Sequence, residues 1–162
     1  MGIEIERKFL LRGDGWRGLA TGEIYRQGYL YGDGTPAVRV RIVGEKAFLT
    51  IKSRCSGLAS LEFEYPLPLE DAHTLLEQVV REPPVEKIRY RIPCNGLIWE
   101  VDEFLGLNQG LLLAEVELER EDQSFELPPW VGEEVTADPR YYNAALAKHP
   151  FRNWTETKHS SS

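Results

Sequence analysis

The chain has 162 residues, a hydrophobic fraction of 42%, a charged fraction of 28% and a formal net charge of -7. Such a length and composition predict one globular domain that folds without a disulfide or a structural metal. No apolar run approaches the ~20 residues of a membrane helix, so we expect no membrane segment. The acidic balance argues against general nucleic-acid binding.

Alternation of apolar and polar residues with a period of two begins at the start of the chain. In the first segment Ile3 and Ile5 alternate with Glu4 and Glu6, and later segments repeat the pattern with other charges. This alternation is typical of antiparallel strands that have one apolar face. We predict eight strands, over residues 3–11, 24–31, 37–43, 47–53, 60–66, 86–92, 97–104 and 111–119.

Two helical segments interrupt the predicted strands. Residues 69–81 carry apolar side chains at helical spacing, and the prolines at 83–84 would end that helix. Asp138 followed by Pro139 is typical of a helix N-terminus. A short helix is therefore predicted from this point through about Ala147.

The domain organisation follows from the absence of any linker or internal repeat in the sequence. We expect one domain over residues 1–149 and a flexible tail over residues 150–162. The fold class is mainly β, with α+β character from the helices. Eight antiparallel strands are enough to close a barrel.

The sequence also indicates in which cellular compartment the protein lies. Glu4 and Glu6 stand where a secretory signal needs a basic patch and then an apolar run. The two cysteines, Cys55 and Cys94, have no metal-ligand spacing and provide no disulfide framework, which fits a reducing compartment. We therefore predict a cytoplasmic protein.

Charges of one sign repeat at alternate positions within single strands. The ordinary interpretation is a sheet whose charged face lies in water. Like charges on one face repel, however, so each strand needs compensation from its neighbours or from a ligand. The repeats are Glu4/Glu6, Arg39/Arg41, Glu62/Glu64, Lys87/Arg89/Arg91, Glu100/Asp102 and Glu115/Glu117/Glu119.

A closed barrel with these faces inward would bring acids and bases into one lumen. The acids slightly outnumber the bases, and two divalent cations would reverse that balance and admit a polyanion. Carboxylate ligands suit Mg²⁺, Mn²⁺ or Ca²⁺, and clustered Arg and Lys suit phosphate oxygens. The residues alone thus suggest a metal-dependent site for a phosphorylated anion, on the assumption that the charged faces point inward.

Residues 4–8 (EIERK) match the ExExK signature of the CYTH family, the triphosphate tunnel metalloenzymes, which the chain resembles over about residues 1–147. One position departs from the pattern, because some relatives carry Lys where this chain has Tyr142. The further matching motifs lie at residues 27–30, 38–41, 50–52, 62–64, 87–90, 100–104, 115–117, 134–136 and 140–143.

The resemblance implies a closed eight-stranded antiparallel barrel with a few flanking helices and a hydrophilic tunnel. It also implies binding of a triphosphate together with Mg²⁺ or Mn²⁺, in a site for two ions. The implied metal ligands are Glu4, Glu6, Glu62, Glu64, Asp102, Glu115 and Glu117. The implied substrate-binding residues are Lys8, Arg39, Arg41, Lys52, Lys87 and Arg89.

Among the members of this family, the chain most resembles the small bacterial inorganic triphosphatases. The predicted reaction is hydrolysis of inorganic tripolyphosphate to diphosphate and phosphate. Lys87 is the predicted proton donor to the leaving diphosphate, Lys52 stabilises charge in the transition state, and Glu62 and Asp102 help to position the attacking water.

Other functions remain open at this point. A class IV adenylate cyclase and a thiamine triphosphatase would use the same charged tunnel. A non-catalytic module that binds polyphosphate or nucleotides would keep the bases but gain nothing from the carboxylates. In each case the partner is a small-molecule triphosphate, and we expect a monomer or a homodimer.

Overall fold

Nine strands and two short α-helices make up the part of the chain that the computed structural model describes, residues 2–31, 36–55 and 57–154. The strands are β1 (Gly2–Leu11), β2 (Gly22–Tyr31), β3 (Ala37–Val43), β4 (Lys46–Arg54), β5 (Ala59–Leu67), β6 (Val85–Cys94), β7 (Leu97–Phe104), β8 (Leu112–Leu118) and β9 (Val131–Glu134). The helices are α1 (Leu69–Thr74) and α2 (Asn143–Lys148). Single 3-10 turns lie at Gly106–Asn108, Pro139–Tyr141 and Phe151–Asn153.

Strands β1 to β8 close into an antiparallel barrel. They follow one another in the order β1-β5-β4-β3-β2-β6-β7-β8, and β8 pairs with β1 to complete the circle. All eight predicted strands are present, with ends that differ from the predictions by at most two residues. The predicted eight-stranded barrel is therefore confirmed.

The short strand β9 is an addition that the sequence pattern did not predict. Phe9 pairs with Ala114 of β8 and with Glu134 of β9, whereas Ile5 pairs with Leu118 of β8 and with Ala59 of β5. Hence β5 and β9 share one edge of β1. The second half of β1 leaves β5, and β9 occupies the edge that would otherwise lack a partner.

Apolar side chains pack largely on the outside of the barrel. Trp99 and Phe9 are almost fully buried there, under Trp16 and Trp130 from the connecting segments. The rings of Phe9 and Trp99 lie 5.5 Å apart between centroids, which is a favourable distance for tilted aromatic pairs. The core on this wall is formed between strands and loops, so the lumen is free to carry charge.

Helix α1 covers the wall formed by β3 and β4, and its end differs from the prediction. The α-helix stops at Thr74, a wide π-helical turn follows over Leu75–Val79, and Val80 is extended. The predicted single helix over 69–81 is therefore two residues too long and is regular only in its first half. The wider turn changes the phase of the apolar side chains and brings Val80 over β2.

One end of the barrel is closed by apolar side chains and α2. Val85, Phe104 and Leu113 continue the inward-facing series of their strands and are buried against Tyr141 and Leu146. Because these inward positions are apolar, the polar lumen ends here. We call the residues 141–143, which enter this end, the closing segment.

The helix predicted from Pro139 is broken at the closing segment. Asp138 caps the first turn as expected, since its Oδ1 accepts a hydrogen bond from the Arg140 backbone N–H at 3.1 Å. Tyr142 then adopts an extended backbone with ψ 138°, and α2 begins only after it. The break lets three consecutive residues turn toward the barrel.

The first residues of the predicted tail pack onto the domain. The Phe151 backbone N–H donates to Asn108 Oδ1 at 2.8 Å, and the Trp154 ring lies 5.1 Å from the Tyr141 ring. The rest of that tail, residues 155–162, lies outside the described residues. The limits 1–149 and 150–162 thus stay a prediction. Within the described ranges, none of the helices has the length and apolar character needed to cross a membrane.

Candidate active site

The charged faces of the barrel strands point into the lumen. On β7, Trp99 belongs to the outer cluster, so Glu100 and Asp102 point the opposite way. Lys52 of β4 also contacts Glu6 of β1 over the intervening strand β5, on the inner side of the barrel. The inward direction was an assumption at the level of the sequence, and the structure supports it.

One wall of the lumen is acidic. Burial and the nearby carboxyl of Glu62 raise the pKa of Glu4. Partial burial raises the pKa of Glu117, and the charges of Glu4 and Glu6 raise it further. Burial would also raise the pKa of Glu6, but a hydrogen bond with Glu115 and a nearby ammonium outweigh burial and lower it. The raised pKa values of Glu4 and Glu117 show that positive charge is short around these two carboxylates. We call Glu4, Glu6, Glu62, Glu115 and Glu117 the acidic wall.

Lys52 supplies the nearby ammonium. Its Nζ lies 2.7 Å from Glu6 Oε1 and 3.3 Å from Glu4 Oε2. Burial alone would lower the pKa of Lys52, but the charges of Glu6 and Glu4 outweigh burial and raise it. Lys52 is thus protonated at neutral pH and partly neutralises the acidic wall.

The predicted metal ligands do not converge on one point. Glu64 is exposed, and Asp102 is engaged by bases, as described below. Over the described ranges, no three Asp, Glu, His or Cys side chains form a preformed metal centre. The donors of the acidic wall nevertheless fit a hard divalent cation, because they are all carboxylate oxygens. The raised pKa values of Glu4 and Glu117 mark negative charge that such a cation would neutralise.

The facing wall is basic and buried. Asp102 is 1% exposed, its Oδ2 accepts from Lys87 Nζ at 2.7 Å, and its Oδ1 accepts from Arg89 Nε at 2.7 Å. Arg89 Nη2 also donates to Asp102 Oδ2 at 2.9 Å, so the guanidinium is bidentate. The two charges lower the pKa of Asp102 in spite of its burial. One carboxylate thus organises two cations.

The pKa of Lys87 is lowered to about 7. Burial is the largest cause, and the positive charges of Arg89 and Arg41 add to it, while Asp102 opposes it. An ammonium with this pKa exchanges its proton near neutral pH. Lys87 therefore has the acidity that a proton donor needs.

Arg41 is held by uncharged groups of the lumen. Its Nε donates to Gln27 Oε1 at 2.7 Å, and its guanidinium lies 4.9 Å from the centre of the Tyr25 ring. Arg89 lies against the same ring, at 5.0 Å. Burial, together with the charges of Arg39 and Arg89, lowers the pKa of Arg41 to about 9. Arg41 is thus a cation with no carboxylate at hydrogen-bond distance among the described residues.

Arg39 retains unused hydrogen-bonding capacity. Its Nη2 donates to Thr50 Oγ1 at 3.3 Å and lies 3.7 Å from Glu62 Oε1. Its Nε is buried and has no hydrogen-bond partner among the described residues. A buried donor of this kind costs free energy until it finds an acceptor. An anionic oxygen in the lumen would supply that acceptor.

Lys8 and Arg54 meet the closing segment. Lys8 Nζ donates to the Tyr141 carbonyl oxygen at 3.0 Å and lies 5.5 Å from the centre of the Tyr142 ring. Arg54 lies 4.8 Å from the same ring. The position that carries Lys in some relatives therefore holds an aromatic ring that contacts two cations.

Four polar residues of the lumen were missing from the sequence-based site. Thr50 and Arg54 continue the alternation of Lys52, and Gln27 has the same direction as Tyr25, so extending the period of two would have found them. Asn143 lies in a segment with no such period, and its one signal was the family motif over residues 140–143. The four residues are Gln27, Thr50, Arg54 and Asn143.

Comparison with known proteins identifies the family of this barrel. A family model described as the CYTH domain matches residues 2–146. The chain belongs to the CYTH family. The match covers the whole barrel and reaches into α2, so the closing segment is part of the CYTH domain.

Two proteins named inorganic triphosphatase are similar to this CYTH chain. The one from Acetivibrio thermocellus is 47% identical over 156 residues, which cover 96% of this chain and all of that protein. The one from Nitrosomonas europaea is 40% identical over 156 residues, covering 89% of this chain and 96% of its own length.

A solved structure agrees with the CYTH assignment. The crystal structure of the inorganic triphosphatase NE1496 matches with a TM-score of 0.66 and 38% sequence identity. The match covers 91% of this chain and 95% of that one. The similarity thus extends over nearly the whole of both molecules.

Proposed function

We propose that this CYTH protein is a triphosphatase that hydrolyses inorganic tripolyphosphate to diphosphate and phosphate. The observation that carries the proposal is a single lumen with a basic wall around Lys87 and Arg89 and an acidic wall around Glu4 and Glu6. The names of the two relatives and of the solved structure support the same substrate. A monomer or homodimer in the cytoplasm remains our prediction.

The bases of the lumen bind the triphosphate in this proposal. Among the described residues, Arg41 has no carboxylate partner and Arg39 has an unused donor, so both are available to phosphate oxygens. Such contacts in a water-poor lumen are stronger than the same contacts in bulk water. The proposed set is Lys8, Arg39, Arg41, Lys52, Lys87 and Arg89.

The carboxylates hold divalent cations in this proposal, Mg²⁺ or Mn²⁺. Glu4, Glu6, Glu115 and Glu117 would hold one ion, and the remaining predicted ligands would hold a second. A bound divalent cation neutralises phosphate charge and orients water for attack on phosphorus. The ligands predicted for the second ion are Glu62, Glu64 and Asp102, of which Asp102 is paired with Lys87 and Arg89 in this structure.

The reaction places a water oxygen on a terminal phosphorus and breaks the bond from that phosphorus to the bridging oxygen. Diphosphate leaves with the bridging electron pair and takes up a proton, which Lys87 Nζ donates. The proton lost by the water returns to solvent and then to Lys87. Lys52 and Arg41 hold the oxygens that carry charge in the transition state.

The first test measures phosphate release from tripolyphosphate, ATP, thiamine triphosphate and pyrophosphate, each with Mg²⁺, Mn²⁺ or EDTA. Strong metal-dependent release from tripolyphosphate, with little from ATP, is expected. Cyclic AMP and pyrophosphate formed from ATP would instead identify a cyclase. Preference for thiamine triphosphate would change the substrate, and saturable binding without turnover of any compound would leave a binding module.

Variants connect that activity to the lumen. Lys52→Ala and Glu6→Gln each remove one side of the 2.7 Å ion pair and are expected to lower kcat by roughly 100-fold. Arg120→Ala is the matched control, because Arg120 pairs with Asp122 on the exposed surface. Full activity of Lys52→Ala or Glu6→Gln would contradict the proposed roles.

A further inference from the structure

The closing segment brings a neutral amide into the charged lumen. Asn143 Oδ1 accepts a hydrogen bond from Lys87 Nζ at 2.9 Å and another from Gln27 Nε2 at 3.1 Å. Gln27 is 0% exposed, as is Lys87. The extended backbone at Tyr142 makes this possible, because a continuous helix would turn the amide of residue 143 elsewhere.

The chemistry of the partners determines how both amides are oriented. Lys87 and Arg41 carry only donors, so each must face an amide oxygen. Arg41 Nε therefore meets Gln27 Oε1, at 2.7 Å, and Lys87 Nζ meets Asn143 Oδ1. Gln27 Nε2 is then left to donate to Asn143 Oδ1. The chain Arg41–Gln27–Asn143–Lys87 is satisfied in this one orientation.

The same chain joins two cations that sit on different strands. Arg41 lies on β3 and Lys87 on β6, and Gln27 lies on β2 between them. Burial lowers the pKa of both cations, and the charge of Arg41 lowers the pKa of Lys87 further. Two linked amides fix both cations without adding negative charge. A carboxylate at either position would compete with an anionic substrate for them.

We infer that Asn143 is a positioning residue, which sets the places of Lys87 and, through Gln27, Arg41 for the phosphate groups of the substrate. The inference rests on the proposed triphosphatase function and extends it to the end of the chain. Asn143 acts through the two cations and is not itself assigned a contact with the reacting phosphorus. The closing segment is thus part of the working site as well as a cover for one end of the barrel.

The experiment compares Asn143→Leu and Asn143→Asp with tripolyphosphate as substrate. Leucine is close in shape but has no acceptor, so we expect kcat to fall by roughly 10- to 100-fold, as for a misplaced reacting group. Aspartate keeps an oxygen acceptor but adds a charge that competes with phosphate. For Asn143→Asp we expect kcat near that of the wild type and a KM raised by about 10-fold.

A double variant tests the connection through Gln27. Gln27→Leu alone releases Arg41, and Asn143→Leu alone releases Gln27 and Lys87. If the amides act as one chain, the combined loss in kcat is smaller than the product of the two single losses. Losses that multiply would overturn the connection.

Leu146→Val is the matched control for packing. Leu146 is 0% exposed in the same closed end, but it belongs to the apolar cluster. We expect it to lower the melting temperature and to leave kcat and KM unchanged. An equal fall of kcat in Leu146→Val and Asn143→Leu, at equal folded fraction, would make Asn143 merely structural and overturn the inference. Asn143→Leu within about twofold of wild-type kcat would overturn it as well.

Binding separates the failure of this inference from the failure of the proposed function. Affinity for diphosphate, the expected product, is measured by titration calorimetry with Mg²⁺, because product binding needs the cation but involves no turnover. If the wild type binds but never hydrolyses, the triphosphatase proposal fails, yet Asn143→Leu is still expected to bind about 10-fold more weakly. Unchanged affinity would overturn the inference. If Asn143→Leu does not fold, Asn143→Ala removes the same oxygen and takes its place.

Discussion

The buried carboxylate of Asp102 shows how single residues keep charge inside this barrel. Its two oxygens accept three hydrogen bonds from Lys87 and Arg89. A buried ion group of this kind rarely exceeds an apolar replacement in stability, because desolvation opposes the Coulomb attraction. The role of this ion group is to hold two cations beside the lumen, where the proposed anionic substrate binds. Loss of one member, by contrast, leaves uncompensated buried charge.

Asp102→Asn is therefore expected to reduce the free energy of unfolding by about 3 kcal/mol. The amide has the same shape, but Lys87 and Arg89 lose their counter-charge, and one amide N–H₂ group faces donors. Urea unfolding followed by circular dichroism measures the change. Asp122→Asn, on the exposed pair with Arg120, is the control and should leave the midpoint where it is. Equal stability of Asp102→Asn and wild type would contradict this account.

At the scale of elements, the helical cover over β2 depends on one close approach. A Cβ atom on Gly28 would lie 2.9 Å from Leu76 Cδ2 and 2.9 Å from Val80 Cγ1. The wide turn after α1 places both of these side chains directly over the strand backbone. Glycine is thus required here by packing, since only its lack of a side chain admits the turn.

Gly28→Ala is expected to destabilise the protein by about 1–2 kcal/mol, as overpacked cores do. Adding Val80→Ala makes room for the new methyl group and should recover part of the loss. Thermal unfolding of the single and double variants measures both effects. Gly2→Ala is the control, because no atom of the described part of the chain lies within 4 Å of a Cβ at Gly2. A double variant no more stable than Gly28→Ala would show that contact with Val80 is not the cause.

On the scale of the whole molecule, the barrel encloses acidic and basic side chains in its lumen. The apolar side chains packed outside the barrel cannot neutralise their charges. Burial and mutual repulsion raise the pKa values of Glu4 and Glu117. A raised pKa in the folded state means that these groups cost stability once pH rises above it and they ionise. The contribution of Glu4 and Glu117 to the stability of the metal-free protein should therefore fall as pH rises from the ordinary pKa of a carboxyl through the raised one, whereas Glu6 and Asp102, with lowered pKa values, act in the opposite sense at lower pH. A divalent cation on the acidic wall would reverse the fall due to Glu4 and Glu117.

Added Mg²⁺ is accordingly expected to raise the melting temperature more at about pH 8 than at about pH 5, where protons compete for the carboxylates. Differential scanning fluorimetry with Mg²⁺ or EDTA measures the difference. Glu117→Gln should reduce the Mg²⁺ effect, whereas exposed Glu133→Gln should preserve it. The same Mg²⁺ shift at both pH values, or in both variants, would place the ion elsewhere.

The part of the fold that the sequence predicts is the part governed by local alternation. Ile3 and Ile5 against Glu4 and Glu6 already specify a strand with two unlike faces. Alternation does not say which face is inside, because that depends on partners far along the chain. The outer cluster around Trp99 decides it, and Trp16 joins that cluster from a segment with no period at all.

A pattern of charges in the sequence does not identify residues whose role depends only on where they lie in the fold. Gln27 and Asn143 are neutral, and their role depends on a contact between β2 and the chain end, 116 positions apart. The break at Tyr142 is equally hidden, since the sequence after Pro139 favours a continuous helix. Likewise β9 forms because β1 has a free edge beyond β5. Residues 131–134 alone have no pattern that predicts this strand.

The position of β1 in the barrel has a consequence for how the chain assembles. β1 precedes its partners β5, β8 and β9 in the chain, and β8 and β9 follow all the other strands. The hairpins β2–β3–β4–β5 and β6–β7–β8 contain only neighbours in sequence and are free to form early. The strand that carries Glu4, Glu6 and Lys8 can close the barrel only by pairing with both β5 and β8. Until it does so, the carboxylates of the acidic wall lie on strands that are not joined to one another.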